Sequence, residues 1–152
     1  MSASSAVLSV LIPTVSLYPS GNDGDNWVSA TILVPSAKTV TMAYLFSNPS
    51  QGLNAVADAA RTHFLARTPF LATDSCVREA ITGQWGDVWL AGLNPTAENY
   101  KVFAVTPDGL TIGFSQGQIS ESACGLQTAT ICGSQLQPLL SVEGKQLIGR
   151  LQ

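Results

Sequence analysis

Charged residues are scarce in this sequence, and their scarcity excludes several classes of protein. Only 11% of the 152 residues are charged, while 45% are hydrophobic; soluble proteins carry about 25% charged residues. Disordered chains need the opposite balance, with low hydrophobicity and high net charge. The seven cations are scattered singly along the chain: Lys38, Arg61, Arg67, Arg78, Lys101, Lys145 and Arg150. Because binding to phosphates needs several cations on one face, we exclude nucleic acid as a partner.

Groups that carry catalytic or metal chemistry are equally sparse. The single histidine, His63, has no recognisable Ser, Cys or Asp motif around it, so we interpret it as a surface residue. One histidine and no Cys-x-x-Cys spacing do not make a zinc motif. Asp23 and Asp25 share a turn that lacks the late Glu of a calcium loop, so we interpret it as an ordinary turn. We expect no metal, no cofactor and no catalytic residue.

Long apolar runs are missing as well. No run approaches the roughly 18 apolar residues of a transmembrane helix. The apolar start, residues 1–13, has no basic n-region, so it predicts a first strand rather than a signal peptide. If the protein is secreted, its signal peptide is not part of this sequence. The length fits one domain, residues 1–152.

The three cysteines are too few for a disulfide scaffold. Cys76, Cys124 and Cys132 predict one disulfide and one odd thiol, with three possible pairings. The alternative is three buried thiols in a cytosolic protein.

The strongest predicted element is a helix that begins after Asn48. Asn48 suits the N-cap, Pro49 the first helical position, and Gln51 follows at capping-box spacing. The helix ends before Pro69. Its apolar stripe recurs at three- and four-residue steps: Leu53, Val56, Ala57, Ala60 and Phe64. A shorter helix is predicted from Asp74 to about Thr82, and a last one from Ser134 to Leu140.

Period-two alternation predicts strands on both sides of these helices. They cover residues 7–17, 27–34, 39–42, 100–105, 110–114 and 126–132. In the second strand, one face holds Val28, Ala30, Ile32 and Val34. The sequence therefore predicts an α+β domain whose main helix packs on a curved antiparallel sheet, with one or two short extra helices.

Three segments resemble the RsiV-type extracytoplasmic domain family. Residues 99–114 (NYKVFAVTPDGLTIGF) are similar to its recurrent NF..F.LT.DGL...F segment. Residues 39–46 (TVTMAYLF) are similar to its entry into the main helix, and residues 123–140 to its ending. The resemblance covers about residues 7–140. The family occurs in lysozyme-sensing anti-sigma factors, beside the catalytic domain of peptidoglycan deacetylases, and in secreted mycobacterial proteins.

The resemblance implies recognition outside the cytoplasm and no catalytic residues. Where relatives carry Tyr or Pro, this chain has smaller or different residues: Gly117, Glu121, Ser122, Cys132 and Gly133. We hypothesise that the lost volume opens a cleft lined by Phe114, Gln118, Ile131 and Cys132. The alternative is a thinner but filled core, because voids destabilise a fold.

With the family as a guide, we expect the disulfide to join Cys76 and Cys124. Cys76 opens the second helix, which must lie against the sheet, and Cys124 precedes Gly125 at a tight position. Cys132 replaces a usual proline and is expected to be the odd thiol.

The sequence thus predicts a monomeric, secreted or envelope-associated recognition domain, with an extracellular protein such as a muramidase, or a cell-wall glycan, as ligand. Trp27, Trp85, Trp89 and Tyr18 lie in or beside Gly/Pro-rich loops, where aromatic rings commonly serve binding. At least one of the three tryptophans is expected to be buried. Two alternatives remain open: a carboxylate-dependent glycan hydrolase, and a structural or antigenic secreted protein.

Overall fold

A computed structural model describes residues 6–17, 24–34, 36–67, 72–106 and 108–148. Within these ranges six strands and four α-helices form an α+β domain, as predicted. They are β1 (Ala6–Ser16), β2 (Gly24–Val34), β3 (Lys38–Thr39), α1 (Pro49–Ala66), α2 (Ala72–Ile81), β4 (Phe103–Thr106), β5 (Gly109–Phe114), β6 (Gln127–Cys132), α3 (Gly133–Leu136) and α4 (Val142–Ile148). Short 3₁₀ turns cover Met42–Leu45, Asp87–Leu93, Ser122–Cys124 and Gln137–Leu139. No helix in these ranges is long and apolar enough to span a membrane.

The strands form two three-stranded antiparallel sheets rather than one curved sheet. The first has the order β1-β2-β3 and the second the order β4-β5-β6. They remain separate because side-chain hydroxyls, not a neighbouring strand, satisfy the outer edge of β4. Ser29 Oγ accepts a hydrogen bond from Phe103 N at 3.0 Å, and Ser9 Oγ accepts one from Val105 N at 2.8 Å. The first sheet therefore contacts β4 through side chains without extending its ladder.

Helix α1 confirms the predicted cap and stripe. Asn48 Oδ1 accepts a hydrogen bond from Gln51 N at 3.2 Å, and Pro49 is the first helical residue. All five stripe residues are buried in the core. The helix ends at Ala66, and Pro69 lies outside the described residues.

The remaining helices differ from their predictions in extent. Helix α2 ends at Ile81, followed by Gly83 at φ +80°. In place of one helix over 134–140, α3 ends at Leu136 and a 3₁₀ turn containing Pro138 follows. The sequence reasoning missed α4. Its backbone lies directly on the Met42–Leu45 turn, since a Cβ added at Gly144 would come 2.1 Å from the Leu45 carbonyl oxygen.

One face of β2 carries aliphatic side chains that lie away from the core. Val28, Ala30, Ile32 and Val34 share one face of β2, as predicted, and Val28 and Val34 are 53% and 44% exposed. The opposite face of β2 presents Thr31, which is buried. An apolar face identified from alternation alone is thus not the core face here.

Candidate functional site

The cleft predicted from lost volume is not formed. Phe114 and Ile131 are fully buried in the core. Phe114 pairs with Gln127, while Cys132 pairs with Gly109 at the opposite end of β5 and β6. The four proposed residues therefore line no common groove, and that prediction was wrong.

Close packing surrounds both Phe114 and Gly133. The rings of Phe64 and Tyr100 meet Phe114 edge to face, with centroids 5.5 and 5.9 Å away. A Cβ added at Gly133 would come 2.8 Å from Ile148 Cγ2, so α4 occupies the space beside that glycine. The alternative of a filled core is the one observed.

Gln118 and Cys132 have separate local roles. The Gln118 amide nitrogen donates to the Asn99 carbonyl oxygen at 3.0 Å, and its Oε1 accepts from Ser115 N at 3.2 Å. Gln118 thereby holds two loops together. Cys132 is exposed and free, with its Sγ 3.1 Å from Ser134 Oγ. Hydrogen bonds from the Ser134 side chain and backbone lower the pKa of the Cys132 thiol.

The predicted disulfide is present. Cys76 of α2 is bonded to Cys124 in the 3₁₀ turn before β6, a separation of 48 residues. The bond ties the second helix to the Ser122–Cys124 turn that precedes the second sheet. Cys124 is fully buried.

The tryptophans do not form one binding platform. Trp27 Nε1 donates to the Gln127 carbonyl oxygen at 3.0 Å, and its Cγ would lie 2.7 Å from a Cβ at Gly113. Trp27 thus packs on the second sheet where only glycine leaves room. Trp85 packs against the core, and Trp89 belongs to the Asp87–Leu93 turn. All three are half-buried, so the expectation that at least one is buried was wrong. Tyr18 lies outside the described residues.

His63 is a half-buried residue of α1 rather than a surface residue. Its Nε2 is buried without a hydrogen-bond partner among the described residues, and its ring meets Phe64 at a 5.6 Å centroid distance. Burial lowers the pKa of His63 from its ordinary 6.5, and the nearby positive charge of Arg67 lowers it further. A backbone hydrogen bond at Thr130 raises this pKa but does not outweigh the other two effects. The neutral imidazole is the form that the fold favours.

We therefore expect stability to fall as the pH drops below 6.5. The unfolded imidazole binds a proton near its ordinary pKa, while the folded one resists protonation until a lower pH. The stabilisation that comes from neutral His63 is complete above the pKa of the unfolded state and is lost as the pH falls below that pKa. Urea unfolding at a pH of about 7.5 and about 5.5 should show a smaller midpoint shift for His63→Gln than for the original protein. Equal shifts in both proteins would contradict this assignment.

One cavity in the described part of the chain lies beside β2. Its volume is about 290 Å³. Val40, directly after β3, donates its N–H to the Thr31 carbonyl oxygen of β2 at 2.8 Å. Beyond Val40 the chain turns away from β2 into the Met42–Leu45 turn. The space so created is closed by residues near the start of β4. The lining residues are Ser29, Ala30, Thr31, Thr39, Val40, Thr41, Met42, Ala43, Ala97, Lys101 and Phe103.

The cavity wall is mostly apolar with several hydroxyl groups. Lys101 is its one charged lining residue and forms an ion pair with Glu98 at the rim. The sequence reasoning did not find this site, because no motif marks it. The cavity forms because β3 has only two residues and a 3₁₀ turn follows it. Alternation over residues 39–42 predicted a longer strand at this position.

The described carboxylates form no cluster that could hold a metal ion. A smaller cavity of about 130 Å³ contains Glu143, with Leu33, Tyr44, Gln146 and Leu147. No group of three His, Cys, Asp or Glu side chains in the described ranges is placed to hold a metal ion. Asp23, from the turn compared with a calcium loop, lies outside the described residues.

The fold defines a class of α+β domain in which two small antiparallel sheets and one long helix share a core. No family model matches the sequence, and the search of curated proteins gives no match. Among solved structures, this chain is similar to the crystal structure of a member of the DUF3298 family from Bacteroides fragilis. The TM-score is 0.58 at 15% sequence identity, over 97% of this chain and 58% of that one. This chain thus spans less than two thirds of the solved chain, and the likeness shows a shared fold.

Proposed function

We propose that this chain is a non-catalytic recognition domain that works outside the cytoplasm and binds a protein ligand through the cavity beside β2. The observation that carries the proposal is the cavity itself, about 290 Å³ of mostly apolar space with a few hydroxyl groups. Ligand sites usually combine apolar walls with a small number of polar groups that fix orientation. This volume suits one or two apolar side chains of a protein surface.

A protein suits this wall better than a glycan does. The one aromatic ring in the lining, Phe103, is only 3% exposed and so offers little surface for a sugar ring to stack on. A sugar would also bring many hydroxyl groups against alanine, valine and methionine side chains, where they would lack hydrogen-bond partners. An aliphatic side chain avoids that cost.

Two further observations support a role outside the cytoplasm. Disulfides persist in oxidising compartments, and Cys76 is joined to Cys124. The sequence segments resemble an extracytoplasmic domain family that includes lysozyme sensors. We therefore propose a muramidase-type enzyme as the protein ligand and the cell envelope or its exterior as the location.

The two alternatives lack a corresponding site. A glycan hydrolase needs two carboxylates facing each other across the substrate. Among the residues that the structure describes, no carboxylate lines the cavity beside β2. A purely structural or antigenic protein would present a smooth surface, whereas this one has a cavity of ligand size.

Binding should be measured by calorimetry with purified lysozyme and, separately, with soluble peptidoglycan fragments. Ala43→Trp places an indole ring into the cavity and should weaken lysozyme binding at least about tenfold, because a filled pocket excludes the ligand side chain. Ala66→Trp is the matched control. Ala66 is also exposed and ends α1, outside the cavity lining.

The outcomes separate the alternatives. Lysozyme binding that Ala43→Trp weakens and Ala66→Trp preserves supports the proposal. Release of soluble sugars from the fragments would establish the hydrolase instead. Equal lysozyme binding by both variants would contradict the proposed site. No binding to lysozyme would contradict the proposed ligand.

A further inference from the structure

The outer face of the β1–β2 hairpin is an aliphatic surface, and several of its side chains are exposed among the described residues. The strands are antiparallel and pair along eleven residues, with Leu8 opposite Ile32, Val10 opposite Ala30, and Ile12 opposite Val28. Directly opposed residues point to the same side of a sheet. We call this side the outer face. It consists of Leu8, Val10, Ile12, Val28, Ala30, Ile32 and Val34.

The hairpin exposes an aliphatic face, whereas its inner face mixes polar and apolar side chains, with Val7 and Leu33 packed against the core. Its inner face uses Ser9, Ser29 and Thr31 toward the second sheet, with Ser9 Oγ 2.7 Å from Thr31 Oγ1. Its outer face leaves Leu8, Ile12 and Val28 57%, 51% and 53% exposed. An antiparallel sheet with one solvated face normally places polar residues on that face. An aliphatic face exposed in this way is the kind of surface that a partner covers.

The exposed area is large for a monomer of this size. Half-exposed side chains at these positions present together about 500 Å² of apolar surface, at the upper end of what monomeric proteins show. Two such faces brought fully together would bury about 1,000 Å², which is the lower bound for a specific protein interface.

We propose that a second copy of this chain covers the outer face, with the two hairpins stacked face to face about a two-fold axis. A two-fold interface must be self-complementary, since the same patch serves both subunits. The outer face meets this condition because it is aliphatic throughout and has no charged side chain that would oppose its own copy. Stacked sheets of this kind pack about 10 Å apart through interdigitated side chains.

The charge pattern distinguishes this occupant from a lipid surface. Peripheral membrane elements combine an apolar face with Lys and Arg residues that attract anionic headgroups. The outer face contains neither, and the whole chain has a net charge of −3. The proposal replaces the monomer expected from the sequence and does not depend on the ligand of the cavity beside β2.

The test is the mass of the full-length chain, measured by sedimentation equilibrium from about 1 to about 100 μM. The original protein should be a dimer in the upper part of this range. Val28→Lys places an unpaired charge in the interface and should raise the dissociation constant at least about a hundredfold. Leu8→Glu is a second variant with the opposite charge and the same expected effect.

The matched control is Val142→Lys, at a valine of α4 that is 71% exposed and lies off the hairpin. This variant should dimerise like the original protein. Circular dichroism confirms that each variant is folded before its mass is compared. A monomer at all concentrations overturns the proposal, as does a dimer that both hairpin variants leave intact. A monomer that pellets with phosphatidylcholine vesicles would assign the outer face to lipid instead.

Discussion

Replacing Phe114 with alanine should lower the free energy of unfolding by about 3–5 kcal/mol. Phe114 is completely buried, and it is the ring that Phe64 and Tyr100 both contact edge to face. Removal of its side chain therefore deletes two aromatic contacts and leaves a cavity in the centre of the core. Equilibrium urea unfolding at neutral pH measures the loss.

The control for Phe114→Ala is Val88→Ala, at a valine that is 68% exposed in the Asp87–Leu93 turn. It should change stability by no more than about 0.5 kcal/mol. The pair of variants also tests the role of Phe114 directly. A residue that lined a ligand cleft would lose binding with little loss of stability, and that result would contradict the packing described here.

Loss of the Cys76–Cys124 bond should destabilise the protein by about 4 kcal/mol. The bond closes a loop with a sequence separation of 48 residues, and cross-linking a loop of that length removes about this much conformational freedom from the unfolded chain. For a domain of this size the melting temperature should fall by about 8–16 °C. The double variant Cys76→Ala/Cys124→Ala, followed by differential scanning calorimetry, gives the measurement.

Cys132→Ser is the matched control for the disulfide experiment, because Cys132 is the free, exposed cysteine. Cys132→Ser should have the same melting temperature as the original protein. A reducing agent should lower the melting temperature of Cys132→Ser and leave that of the double alanine variant unchanged. If reduction affected neither protein, the bond would contribute nothing to stability.

Local signals explain why helix α1 could be predicted in detail. Its cap, its first-turn proline and its apolar stripe are all encoded within eighteen residues, and each acts through neighbours in sequence. The disulfide was also predictable, because only three pairings existed. In both cases few alternatives competed with the correct one.

The parts that could not be predicted depend on contacts between distant residues. Alternation in β2 identified the two faces of the strand, yet the face that meets the core is the one with Trp27, Ser29 and Leu33, which contact residues distant in the sequence. The predicted cleft failed for the same reason, since Ile148, far along the chain, fills the space beside Gly133. The cavity beside β2 arises where β3 stops after two residues, and no local pattern encodes that end.

The hydroxyl groups of Ser9 and Ser29 occupy a strand edge that could otherwise pair with another molecule. An exposed strand edge recruits strands from other molecules through its free N–H groups. At β4 the N–H groups of Phe103 and Val105 are already occupied by hydroxyl oxygens, which cannot extend a ladder. An incoming strand would have to displace the whole hairpin to reach them. The docked hairpin therefore blocks this edge of β4. The second sheet is protected from pairing with another strand at this edge only while the hairpin stays in place.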